Sequence, residues 1–221
     1  MAIKWPVSMP GRIWRKTSDM LAERVNPLMR RVPPWAVYLA GALPLLALVV
    51  QVVTGGLGAD PVKVLERSMG LYGLQFFIAT LCVSPLRWAT GISLIRFRRA
   101  LGVLTFVYVA LHFTIWIVLD LQFRWAEIGA DLVKRPYLII GFAALLMMVP
   151  LAVTSNNLSV RRLGAGLWNR VHWLTYPAVL LGAVHFLWQA KTYQPKPMTY
   201  LGIVAALLAV RAVRSLRKRL A

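Results

Sequence analysis

Carboxylates are scarce in this sequence: seven Asp and Glu stand against 26 Lys and Arg in 221 residues, a formal charge of +19. Charged residues of both signs make up only 15%, where a soluble domain carries about 25%. Cysteine is nearly absent. Cys82 alone, set in an apolar run, can form neither an internal disulfide nor a thiolate metal cluster, and reads as a buried packing residue. No phosphate-binding loop is present, and no Gly-x-Gly-x-x-Gly follows a strand. Loops long enough to make a catalytic domain are also missing, so any reaction takes place within the apolar part of the chain or on a partner. Residues 1–33 hold Lys4, Arg12, Arg15, Lys16, Arg24, Arg30 and Arg31 but no apolar core, so they are not expected to act as a cleavable signal peptide. They read as a basic cytosolic segment, with an interfacial helix around 11–30.

What the sequence has in excess is apolar surface. Hydrophobic residues make up 59%, gathered into blocks that match the roughly 20 residues a spanning helix needs. Six spans are predicted, at 34–54, 70–88, 101–121, 136–154, 167–189 and 198–214, the second cut short by Pro85 and Arg87. The fold class is therefore all-α, an integral membrane bundle of six transmembrane helices over residues 34–215, followed by a basic tail at 216–221. The loops orient it. Besides the N-terminal cations, Arg87, Arg96, Arg98 and Arg99, then Arg161, Arg162 and Arg170, then the C-terminal Arg211, Arg214, Arg217, Lys218 and Arg219 fall on one side. Lys and Arg accumulate on the cytosolic side of bacterial membranes, so both termini are expected to be cytosolic. Asp60, Glu66, Asp120, Glu127 and Asp131 fall on the opposite side. Topology and membrane lipid explain the basic balance, and no nucleic-acid partner is needed.

All three histidines lie in predicted spans: His112 in the third, His172 and His185 in the fifth. A lone intramembrane histidine ordinarily bonds between helices. Three of them on two helices, with none elsewhere, point instead to ligation of haem iron. His172 and His185 are 13 residues apart, about 20 Å along a helix and about 140° out of phase. They would share a face only if the helix bends, and Pro177 lies between them. Gly182, three residues before His185, would let a flat macrocycle approach. Three histidines suffice for one bis-histidine haem. His112 with His185 is the first pairing to consider, although depth alone does not exclude His172. Arg87, Arg98, Arg99, Arg161 and Arg162 form a cytosolic rim. They serve as membrane anchors, or Arg98 and Arg99 among them bind haem propionates or a flavin phosphate. Asp120, Glu127, Asp131 and Lys134 make a periplasmic surface open to a docking partner.

Several segments together resemble a known family: RRALGVLTFVYVALHF (98–113), KRPYLIIG (134–141), PLAVTSN (150–156) and RRLGAGLWNRVHWLTYPAVLLGAVHFLWQ (161–189), with SPLRWATG (84–91). They are similar to the MsrQ family, the haem-binding membrane subunit of the bacterial periplasmic methionine-sulfoxide reductase system, over roughly residues 70–190. The resemblance implies a ferric-reductase-like membrane fold in the bacterial inner membrane, related to the membrane part of NADPH oxidases. It implies b-type haem, one or two, with FMN as a further cofactor, and His112, His172 and His185 as the family's histidines. It implies electrons drawn from the quinone pool or a cytosolic flavin reductase and handed to a periplasmic molybdenum-cofactor methionine-sulfoxide reductase. Relative to the NADPH oxidases, one of four histidines is missing from the third helix, which leaves room for a flavin on the cytosolic side. In this reading the chain is an electron-transfer subunit, in which His112 and His185 hold haem and His172 ligates or contacts a second centre. The alternatives are a self-sufficient ferric reductase and, from another class, a colourless transporter or scaffold. Transport finds little intramembrane carboxylate here to support it.

Overall fold

The computed structural model describes residues 10–190 and 194–220, with side chains from Asp19 onward. Lys4 and the side chains of Arg12, Arg15 and Lys16, which entered the charge argument, lie outside the described residues. Within them the chain is helical, with no strand. The elements are α1 (Pro10–Arg31), α2 (Pro34–Val53), α3 (Pro61–Thr90), α4 (Arg98–Ile115, extended by a π-helical turn over Trp116–Asp120), α5 (Trp125–Lys134), α6 (Pro136–Val153), α7 (Asn157–His172), α8 (Thr175–Trp188) and α9 (Pro195–Leu220). Six stretches are long and apolar enough to cross a membrane: α2, α3, α4 with its extension, α6, α7 joined to α8, and α9. An even number of crossings returns both ends of the chain to one side. Leu39, Leu43, Leu46 and Val50 on α2, and Ile139, Phe142, Leu146 and Val149 on α6, are exposed. In water such faces would aggregate; in a bilayer they meet lipid. The chain is a multi-pass membrane protein.

α4 is the central strut, packed on α2, α3 and α6, while α8 packs on α6, α9 and α3. Lipid tails are as apolar as leucine, so close packing and interhelical hydrogen bonds hold such a bundle together. Both are visible here. Ala178, Val179, Ala183 and Val204 are fully buried beside Leu74, Phe77, Leu81 and Met148, where small residues on α8 let neighbouring backbones approach. On the other side of α4, the buried Tyr108 hydroxyl donates to Gly41 O at 2.6 Å and accepts from Leu45 N at 3.1 Å. It is inserted where α2's own Leu45-to-Gly41 bond would run, next to Pro44. Gly41 permits this approach, since a Cβ there would lie 2.3 Å from Leu104.

α3 departs from expectation. Pro85 and Arg87 were expected to cut the second span short, yet the helix runs from Pro61 to Thr90. Proline at 85 removes the N–H that would bond Leu81 O. Arg211, from α9, supplies the missing donor to Leu81 O at 2.5 Å, and its guanidinium lies over Trp88 and Tyr176. The helix ends instead at Gly91, whose φ of 73° is the left-handed cap that glycine adopts most readily. Its first turns, read from the sequence as loop, are helical behind the Asp60 N-cap, whose carboxylate accepts from Lys63 N.

The fifth span is broken where Pro177 dictates. α7 ends at His172 and α8 begins at Thr175. Pro177 cannot donate to Trp173 O, and Tyr176 N takes that carbonyl at 3.1 Å in a tighter turn. A second bend sits at Gly164, with φ 71°. α1 lies against the α3–α4 connection: Asn26 Nδ2 donates to Gly91 O and Asn26 Oδ1 accepts from Ser93 N, and Arg96 donates to Met29 O and Arg30 O.

Candidate functional site

Two regions, one toward each end of the bundle, contain the three histidines. Toward the acidic side, His112 on α4 and His185 on α8 face each other with ring centroids 6.3 Å apart. Each is held the same way. His112 Nδ1 is 2.8 Å from Glu66 O on α3, and His185 Nδ1 is 2.7 Å from Tyr137 O on α6. A carbonyl can only accept, so each Nδ1 carries a proton, which in the neutral tautomer leaves the lone pair on Nε2. This orients an imidazole as a metal ligand. Four residues beyond each carbonyl, one helical turn on, stands a glycine. A Cβ on Gly70 would lie 3.1 Å from His112 Nδ1, and one on Gly141 would lie 2.7 Å from His185 Nδ1. The two histidines are thus seated in matching cradles, each a backbone carbonyl at one position and a glycine at the position four later.

The spacing suits one metal between the rings. An imidazole nitrogen binds a metal at about 2 Å and lies about 1 Å from its ring centre, so two ligands on opposite sides put the centroids about 6 Å apart. Among the described residues no group of three or more His, Cys, Asp or Glu could hold a bare ion. Haem does not need one, because the porphyrin supplies four of its iron's ligands and the protein only the axial pair. The donor set fits haem. Gly182, expected to open the way for the macrocycle, has open space around it; the close contacts fall at Gly70 and Gly141.

His172 lies in the other region, on a cavity of about 680 Å³ between α3, α4, α6, α7 and α8. Its Nε2 is 3.1 Å from Thr154 Oγ1, and its ring stacks on Trp168 at 3.7 Å between centroids. Trp168 Nε1 in turn donates to Thr154 O at 2.9 Å. The Pro177 break therefore separates the two fifth-span histidines into different sites. Arg96, Arg98 and Arg99 line the same cavity, together with Thr105, Asn169 and Tyr176, and no carboxylate does. Arg98 is also within electrostatic reach of Arg211. A cavity with aromatic walls and a cationic mouth is chemically suited to a planar organic anion. The other members of the expected arginine rim, Arg87, Arg161 and Arg162, do not line it. A sequence signal for the cavity existed in the Arg98–Arg99 pair at the start of α4, ahead of His112 on the same helix.

The acidic side is tied together internally. Lys63 Nζ bonds Asp120 at 2.5 Å and Glu66 at 3.2 Å, joining α3 to the end of α4. Arg124 pairs with Glu127, and Arg135 with Asp131. The acids considered for docking are thus engaged within the chain. Trp125 and Val133 on α5, a helix the sequence reading lacked, are exposed beside them.

Comparison with known proteins gives a consistent picture. Residues 68–183 match the model of the ferric reductase like transmembrane component family. The chain is 45% identical over 180 residues to the protein-methionine-sulfoxide reductase heme-binding subunit MsrQ of Brucella anthropi, covering 81% of each chain. It is 47% identical over the same length and coverage to the proteins of that name from Brucella ovis and Brucella suis.

Proposed function

The chain belongs to the ferric-reductase-like transmembrane family and, within it, to the MsrQ haem-binding subunits, and from that premise we propose that it is the electron-transfer subunit of a methionine-sulfoxide reductase system. One observation carries the reading: two imidazoles on different helices, each with Nδ1 bound to a backbone carbonyl, face each other 6.3 Å apart. His112 and His185 would hold a b-type haem through its iron. Haem supplies reversible one-electron chemistry at iron. The protein's part is positional. Glu66 O and Tyr137 O fix the tautomer and aim of the two rings, and Gly70 and Gly141 let the rings sit against α3 and α6.

The second region serves the cytosolic side. Arg98 and Arg99 hold the anionic groups of a second cofactor, FMN or another haem, with His172 against it. Electrons come from the quinone pool or from a cytosolic flavin reductase. They leave on the acidic, periplasmic side to a molybdenum-cofactor methionine-sulfoxide reductase that repairs oxidised proteins there.

The test is a dithionite-reduced minus oxidised spectrum of the purified chain, with haem and flavin quantified per chain. A sharp b-type spectrum, lost in His112→Ala and in His185→Ala, is expected. A colourless protein from haem-replete cells would overturn the reading and leave the histidines as interhelical bonds. The matched family description also admits a self-sufficient ferric reductase. Turnover of a ferric chelate by the isolated chain, at a rate matching transfer to its partner, would favour that alternative.

A further inference from the structure

The two histidine cradles match in backbone but differ in charge. On α3, Lys63, Glu66 and Gly70 follow at intervals of three and four and share one face. That face meets α4. Glu66 O holds His112 Nδ1 at 2.8 Å, and the Glu66 carboxylate accepts from Lys63 Nζ at 3.2 Å. Lys63 Nζ also bonds Asp120 at 2.5 Å, and Asp120 closes the helix that carries His112. The contacts make a ring: His112 to Glu66, Glu66 to Lys63, Lys63 to Asp120, and Asp120 back along α4 to His112. The π-helical turn lets the ring close. Asp120 comes eight residues after His112, which is about 80° off its face at about 100° per residue. Leu121 N bonds Trp116 O, five residues back, so the turn takes in one extra residue. Asp120 is thereby returned to the place of an ordinary seventh residue, within about 20° of the His112 face. Among the described residues the His185 cradle has no such ring. Arg135 pairs there with Asp131, four residues back along the chain, and Tyr137 brings no charge.

We propose that Lys63 and Asp120 are positioning residues for His112, and that their charges set the potential of the iron it holds. The first part rests on geometry alone, and the second rests on the haem reading above. Lys63 and Asp120 fix the α3–α4 register on which the bond from His112 to Glu66 O depends. Lys63, Glu66 and Asp120 are partly buried, with side-chain exposures of 35%, 17% and 22%. Solvent therefore screens them less than the exposed Arg124–Glu127 pair, at 53% and 50%. Reduction adds one negative charge at the iron. A nearby ammonium favours the reduced form, and a nearby carboxylate favours the oxidised form.

The experiment is a redox titration of the haem spectrum in the full chain, at about pH 8, where carboxylates are ionised. Lys63→Met leaves two carboxylates without their cation. It is expected to lower the reduced-to-oxidised ratio at a fixed ambient potential about tenfold, or about 59 mV for one electron. Asp120→Asn should raise that ratio by a similar factor. Lys63→Arg should keep the parent's value, as should Glu127→Gln in the exposed pair. Opposite signs are the signature, because loosened packing would move both charge variants the same way. Shifts of one sign, or equal potentials in all chains, overturn the tuning and leave the cluster an interhelical tie. If Lys63→Met fails to fold, Lys63→Gln takes its place. NMR of isotope-labelled histidine in the haem-free chain tests the positioning separately. Lys63→Met and Asp120→Asn should move the His112 ring signals, identified by their loss in His112→Ala, and leave those of His185 in place. Unmoved His112 signals overturn the positioning. A parent chain that shows no haem overturns the haem reading and the tuning with it, while the imidazole signals still decide the positioning.

Discussion

The two histidine regions are built on opposite plans. The His112–His185 pair is closed and symmetrical: two helices contribute rings, two others contribute a carbonyl and a glycine each, and both Nδ1 positions are occupied by backbone. The His172 region is open and one-sided. A single ring is stacked on Trp168 and held by Thr154 through Nε2, facing a cavity whose charges are all positive. A ligand pair needs its rings fixed before the metal arrives, and backbone carbonyls do this with groups no substitution can remove. A cavity that receives an organic anion needs space and guanidinium groups more than a fixed imidazole. The difference teaches that three similar intramembrane histidines need not have one role.

The comparison can be broken most directly by removing the rings. His185→Ala should abolish haem binding at the pair, whereas His172→Ala should leave that spectrum in place and alter only the second cofactor, as read from haem and flavin content per chain. Loss of the pair's spectrum in His172→Ala would make the two regions one site. The cradles come next. Gly141→Ala should weaken haem retention about 10–100-fold, as for other groups that orient a metal ligand. Gly70→Ala should do less, because its added Cβ would stand 3.1 Å from the ring, against 2.7 Å at Gly141. Haem titration of both variants would show the order, and a reversed order would mean that the cradles are not what seats the rings.

The cationic region offers smaller effects. Arg98→Gln should cost a bound anionic cofactor about 2 kcal/mol, the worth of a hydrogen bond to a charged group. Flavin or haem release on dilution measures this, with the pair's spectrum as the internal control. Unchanged release would assign Arg98 to lipid anchoring. Arg211→Leu should lower stability by about 1–3 kcal/mol by leaving Leu81 O unpaired beside Pro85, seen as a lower thermal midpoint in detergent. The smallest effect is expected from Thr154→Val, about 1 kcal/mol. It frees His172 Nε2 and should shift only signals from the cavity side. A change in the His112–His185 spectrum would show that the two regions are coupled.

Much of this was legible beforehand. α2 and α6 coincide with their predicted spans to within a residue, because length and apolarity suffice to define a helix that faces lipid on most of its circumference. The histidines, the Arg98–Arg99 pair and the bend at Pro177 were visible as residue types in apolar surroundings. α3 was not. Proline predicts a broken hydrogen bond, but whether the helix continues depends on a donor from elsewhere, and Arg211 lies 130 positions away. α5 was missed because ten residues with Glu127 and Asp131 read as a solvated loop. Gly70 and Gly141 were unreadable for a similar reason, since nothing local distinguishes a glycine that seats a ring from one with open space around it, such as Gly182.

The sequence by itself determined the number of crossings, the sidedness of charge and the set of available ligands. Hydrophobic length and the distribution of Lys and Arg act through the bilayer, a solvent that every segment meets alone. Only the tertiary structure decided which histidine faces which, which carbonyls orient them, and that Lys63 finds Asp120. Those outcomes depend on the register between helices distant in sequence. Within a bilayer, interhelical register is set by close packing and by the need to satisfy each buried polar group, and neither can be read from one helix at a time.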